Sequence, residues 1–145
     1  LSGRGAELYG GRFNPKGMPA LYASTKILTA VREANQAGDL QPTTWVSYRA
    51  EIEVVFDATD AAALTAVGFD DAALADPTWR DQMRTAGEAR TQRFARDLLD
   101  QGYDGLLVRS FAKGVTSGDL NLVLWRWSAS APSSLELIDD ERRLS

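Results

Sequence analysis

The chain has 145 residues, 44% hydrophobic and 25% charged, the make-up of one folded domain that buries its own core. It contains neither Cys nor His, which excludes disulfides, thiolate nucleophiles, Cys-based zinc sites and the Ser-His-Asp and Cys-His triads, and no metal is expected. A net charge of −4 and a pI near 4.8 argue against direct binding to nucleic acid. No apolar run reaches the ~20 residues of a membrane span, and no basic-then-apolar leader opens the chain, so a cytoplasmic protein is expected. Of its 16 basic residues 13 are Arg, the better fork for phosphates and carboxylates.

Residues 1–19 read as a loop, with Gly3, Gly5, Gly10, Gly11 and Gly17 beside Pro15 and Pro19. Ala20 to Ala23 reads as a short strand. Ser24 or Thr25 is the expected N-cap of a helix from Lys26 to about Ala37, with Gly38 as its stop. Ile27, Ala30, Val31 and Ala34 mark the apolar face of that helix. Lys26, Thr29, Glu33 and Gln36 mark another face. From Val46 to Phe56 the side chains alternate, with Tyr48, Ala50, Ile52, Val54 and Phe56 against Arg49, Glu51 and Glu53. That pattern predicts one half-buried strand.

Residues 57–76 are rich in Ala and Asp and predict a short helix or two. Asp76-Pro77 reads as N-cap and first turn of a helical stretch reaching Gln101, with Gly87 as its break and Gly102 as its stop. Phe94, Leu98 and Leu99 give that stretch its apolar face. Leu106 to Val108 reads as a strand ending at Arg109-Ser110. Leu120 to Trp127 is another strand, with Trp125 and Trp127 on one face as core or partner surface. Leu135 to Ile138 is a short last strand. The order predicts a single α/β (α+β) domain, residues 1–145, with a mixed central sheet and flanking helices.

Six polar residues stand where chemistry could sit. Arg12 and Lys16 lie in the glycine-rich opening, where a backbone can approach a ligand closely and an Arg can grip an anion with two bonds. Composition alone reads this as a surface loop, and it is no P-loop, because G-x-x-x-x-G-K-[ST] is missing. Tyr22 lies at a strand end, Glu33 in mid-helix, Ser110 at the close of one strand and Asn121 at the start of another. Strand ends are common places for sites, yet each residue taken singly reads as structural.

Gly10-Gly11-Arg12-Phe13-Asn14-Pro15-Lys16-Gly17, then Ala20-Leu21-Tyr22-Ala23-Ser24 and Glu33, resembles the opening block of the RES domain, a family named for its Arg, Glu and Ser. Gly102 to Ser110 is similar to the family's second block, and Asn121-Leu122-Val123-Leu124 to the asparagine-led strand after it. The family more often has Trp at the position of Phe13. Between about Asp57 and Gln101 the match lapses.

The resemblance implies a toxin of a type II toxin–antitoxin pair, with a fold like the diphtheria-toxin-like ADP-ribosyltransferases and NAD as substrate. It implies a cognate antitoxin carrying a helix-turn-helix DNA-binding part. Two outcomes are implied in kind: transfer of ADP-ribose to a protein, or degradation of NAD by phosphorolysis or hydrolysis. By the motif match Arg12 grips the pyrophosphate or ribose, and Tyr22 packs on the nicotinamide. Glu33 orients a ribose hydroxyl and stabilises the cation, and Ser110 and Asn121 bond the ribose or amide. Lys16 is a further phosphate contact. A non-enzymatic module that binds a partner through exposed aromatics, and a ribonuclease-type toxin, are the competing readings.

Overall fold

The computed structural model describes residues 2–36 and 42–144. Its elements are α1 (Arg4–Tyr9), β1 (Leu21–Ser24), α2 (Ile27–Asn35), β2 (Ser47–Glu51), β3 (Val55–Asp57), α3 (Ala61–Ala66), α4 (Asp71–Ala75), α5 (Trp79–Ala86), α6 (Arg90–Asp100), β4 (Gly105–Arg109), β5 (Leu120–Leu124) and β6 (Ser134–Ile138). The main sheet has the order β1-β5-β4-β3, and β2 and β6 form a separate pair. β3 runs parallel to β4 and the remaining neighbours are antiparallel, so the sheet is mixed, as the sequence predicts.

The core lies between this sheet and α3, α4 and α6, with Phe13, Met18 and Ala20 of the opening segment packed into it. Leu64, Leu74, Leu98, Leu106, Val108, Val123 and Leu124 are fully buried. Each such side chain stabilises the fold by about 1.5–3 kcal/mol. In α6, Thr91, Phe94, Ala95 and Leu98 recur at helical spacing and turn one face inward. Phe94 stacks on Phe69 and meets Phe56 edge-on, which ties α6 to β3 and to the turn after α3. Gly87 (φ 81°) supplies the left-handed turn that separates α5 from α6, the break the sequence predicts.

Several expectations change. The opening is not all loop: Arg4–Tyr9 is helical. Six residues do not hold a helix alone, and this one is held by its surroundings. Asn14, fully buried, donates through Nδ2 to Ala6 O and Met18 O at 2.9 Å each, and Gly17 N donates to Glu7 O. The run 46–56 is two strands in two sheets. Glu53 N donates to Ser133 Oγ and Asp104 N to Val54 O, which bends the chain between them. Val54 is exposed and Phe56 buried, although simple alternation would place both on one face.

The strand expected to reach Trp127 ends at Leu124, where Trp125 N and Arg126 N both turn to Asp104 O. Trp125 is buried and its Nε1 donates to Phe13 O. α5 starts two residues later than expected, because Asp76 Oδ1 accepts from both the backbone and the hydroxyl of Thr78 in a turn before the helix. In α2 the N-cap is Lys26, not Ser24 or Thr25. Ser24 is occupied with Asn121, and Thr25 donates through N and Oγ1 to Leu120 O. The stop expected at Gly38 lies outside the described residues. The face of α2 marked by Ile27 is buried only in part: Ile27 is 68% exposed while Ala30, Val31 and Ala34 are half-buried, and Thr29, on the polar face, is fully buried.

Candidate functional site

Thr29 and Glu33, on the polar face of α2, turn inward to partners at the ends of β4 and β5. Glu33, one turn after Thr29, is half-buried. Its Oε1 accepts from the Ser110 hydroxyl and from Asn121 Nδ2, both at 2.5 Å. Bonds to a charged acceptor are short and strong. Asn121 Oδ1 accepts from the Ser24 hydroxyl at 2.7 Å, and because a carboxylate only accepts, the amide keeps its nitrogen toward Glu33. Glu33 Oε2 accepts from Gln36 Nε2 at 2.8 Å.

Strand register places these groups. Ser24 pairs with Asn121 and Tyr22 with Val123 across β1 and β5, and Val108 pairs with Asn121 across β4 and β5. Side chains of a strand alternate between faces. Tyr22, Ser24, Asn121, Val123 and Val108 therefore share one face, with Glu33 brought to it by α2.

The glycine-rich loop forms the next wall. A Cβ on Gly11 would lie 2.5 Å from the Tyr22 hydroxyl oxygen and 2.7 Å from Asn14 Oδ1, so this position admits no side chain without displacement. Tyr22 donates to Asn14 Oδ1 at 2.7 Å and accepts from Phe13 N at 3.0 Å. Its ring is partly exposed and its hydroxyl enclosed. Burial pushes the phenol above its ordinary pKa, against the Phe13 N–H and the Arg12 charge, so it stays a neutral donor. From below, the buried Gln92 donates through Nε2 to Gly11 O at 2.8 Å and Asn14 O at 3.1 Å.

Arg12 is locked in place. Its Nη1 donates to Leu74 O at 3.0 Å and Asp76 O at 2.8 Å. Its guanidinium carbon lies 5.0 Å from the centre of the Phe111 ring and 5.9 Å from that of Trp79. Nη1 carries two hydrogens, and both are used. Among the described residues no partner takes Nε or Nη2, so that edge of the fork is left for a ligand. Burial, then the charge of Arg80, lowers the Arg12 pKa, and Glu33 and Asp76 oppose the shift. A guanidinium stays charged through such a shift at neutral pH.

Between these walls lies a cleft of about 330 Å³. The structure brings Arg12, Tyr22, Glu33 and Asn121 to it, with Ser110 attached through Glu33. Lys16 is exposed and does not line the cleft. Arg80, Arg109, Trp79 and Phe111 line it and were not legible as site residues. Arg109 directly precedes Ser110 and its Nε is buried without a partner, so a basic residue beside a strand-end serine was the available signal. Trp79, Arg80 and Phe111 left none, for they reach the cleft from α5 and from the loop after β4.

The cleft combines one fixed carboxylate, a cationic fork and a neutral phenol. That set can hold an anion at one end and stabilise a developing cation at the other. Among the described residues no group of three or more Asp and Glu converges to hold a metal ion, and no helix is long and apolar enough to cross a membrane. No curated protein matches the chain. The chain matches the family model described as RES domain over residues 1–145, and with that match it belongs to the RES-domain family.

Proposed function

We propose that the chain is the toxin of a toxin–antitoxin pair and cleaves NAD between nicotinamide and ribose, passing the ADP-ribose to a protein acceptor. The observation that carries this reading is the single carboxylate oxygen of Glu33 held by Ser110 and Asn121 in the cleft that also holds Arg12. The bond from ribose C1′ to the nicotinamide nitrogen breaks, and its electron pair returns to the ring, which leaves neutral. No acid is needed to protonate it, which suits a chain without His. The ribose passes through an oxocarbenium-like state, as in glycoside cleavage. Glu33 offsets that positive charge. Arg12 holds the pyrophosphate through its free edge, and the Tyr22 ring bears on the nicotinamide. The acceptor bonds to C1′ through a lone pair and gives up its proton to water.

The cleft volume lies at the low end of the ~300–1,000 Å³ of small-molecule sites, room for the nicotinamide–ribose end of the dinucleotide. Arg80 and Arg109, which also line the cleft, favour a second reading, in which inorganic phosphate rather than protein takes the ADP-ribose. The cognate antitoxin would act by covering the cleft. Nicotinamide release by the purified chain tests the cleavage. Labelled protein, ADP-ribose 1-phosphate or free ADP-ribose in the same tube separates protein, phosphate and water as acceptor. Absence of release, with cell extract and phosphate both supplied, would overturn the reading.

A further inference from the structure

We infer that Asp119 is the positioning residue that holds Glu33, Ser110 and Asn121 in register, an inference that rests on the catalytic reading above. Asp119 is 4% exposed and does not line the cleft. Its carboxylate nevertheless gathers the elements that build the site. Oδ1 accepts from the Thr29 hydroxyl at 2.7 Å. Oδ2 accepts from Thr116 N at 2.7 Å and from the Thr116 hydroxyl at 3.0 Å, with Arg32 Nη1 at 3.5 Å. Lys26 Nζ stands 4.0 Å from Oδ1.

Its main chain completes the link. Asp119 O accepts from Ser110 N at 2.8 Å, which carries the β4–β5 ladder one step past Arg109 and Leu120. Asn121 follows two residues later on β5. One residue thus bonds to the turn of α2 that precedes Glu33, to the backbone of Ser110 and, along the strand, to Asn121. Thr29 and Glu33 are four apart and lie on one helix face. Fixing Thr29 fixes the roll of α2, and the roll decides whether Glu33 Oε1 meets both donors.

A carboxylate suits this place and an amide does not. Thr116 N and Thr29 Oγ1 both donate, one to each oxygen. An Asn that keeps its oxygen on Thr116 N places its NH2 on the Thr29 side, where the hydroxyl must reverse to accept and the Lys26 ammonium, which only donates, faces another donor. The cationic neighbours Arg32 and Lys26 likewise favour the charged form.

The test uses Thr29→Val, which keeps side-chain volume and loses the hydroxyl, and Thr29→Ser, which keeps the hydroxyl, beside Asp119→Asn. In nicotinamide release from NAD, Thr29→Val should lower kcat about ten- to a hundredfold. KM should stay within about threefold, because Arg12 and Tyr22 are untouched. Thr29→Ser should restore kcat. A second readout needs no turnover: the side-chain amide resonance of Asn121, set by its bond to Glu33, should move in Thr29→Val and return in Thr29→Ser. Parent-like kcat with an unmoved resonance in a folded Thr29→Val chain overturns the inference, as does a rise in KM with kcat unchanged. A parent that releases no nicotinamide with cell extract and phosphate both supplied overturns the catalytic reading, and the resonance then decides on Asp119 alone.

Discussion

Glu33 and Ser110 stand 77 residues apart in the chain and 2.5 Å apart in the fold, hydroxyl to carboxylate, with Glu33 lining the cleft and Ser110 buried behind it. The bond orients the carboxylate before any substrate arrives, and an oriented charge acts without reorganising. Glu33→Gln keeps the shape and removes the charge. Nicotinamide release should fall by roughly two to three orders of magnitude. The melting temperature should move little, because the side chain is half-buried and an oxygen acceptor remains. Turnover within a few-fold of the parent would remove Glu33 from the reaction.

Arg12 cannot be replaced by Lys in its present setting. One nitrogen serves two carbonyls while the rest of the plane lies by Trp79 and Phe111. An ammonium reaching the same carbonyls has no second edge for an anion. Arg12→Lys should weaken NAD binding at least about tenfold, read by calorimetry, which corresponds to about 1.4 kcal/mol. Parent-like affinity in this variant would show that the free edge does not hold the substrate.

How far the sequence reveals this arrangement depends on range. The helix break at Gly87 and the β4 and β5 strands follow from local chemistry, one a backbone needing left-handed φ, the others apolar runs. The helix α1 does not, since Gly3 and Gly10 flank it and its support comes from Asn14. The split of the run 46–56 depends on Asp104 and Ser133, about 50 and 80 residues downstream, and no local pattern announces it. In the site, Arg12, Tyr22, Glu33 and Asn121 were legible from the motif resemblance, not from periodicity. Asp119 and Gln92 read as ordinary loop and helix positions, because their importance lies in what they reach.

Gly11 and Gly5 should respond in opposite ways to the same substitution. Gly11→Ala drives a Cβ against the Tyr22 hydroxyl and Asn14, both fixed by hydrogen bonds. Such overpacking costs about 1–3 kcal/mol, and it should also weaken NAD binding by displacing Tyr22. Gly5 lies inside α1 with open space around its would-be Cβ. Gly5→Ala should stabilise by about 0.4–1 kcal/mol. Denaturant unfolding of both variants checks the pair, and equal effects would mean that the Gly11 contact does not constrain the loop.

Stability should depend on acid through Asp119. Its carboxyl is pushed down from 3.8 to about 2, first by the Thr116 N–H and then by the Thr29 hydroxyl, with burial opposing. The folded value lies below the unfolded one, so folding favours the carboxylate. The stabilisation is complete above the unfolded value and is lost as pH falls toward and through about 2. Tyr22 acts in the other direction: its raised phenol pKa gives stability that is present below pH 10 and lost as pH climbs beyond it. Denaturant unfolding of parent and Asp119→Asn, followed downward from about pH 6, should show the gap between them narrowing across the acid window. A gap that stays constant to the lowest pH at which the parent folds would mean that the Asp119 charge does not contribute to stability.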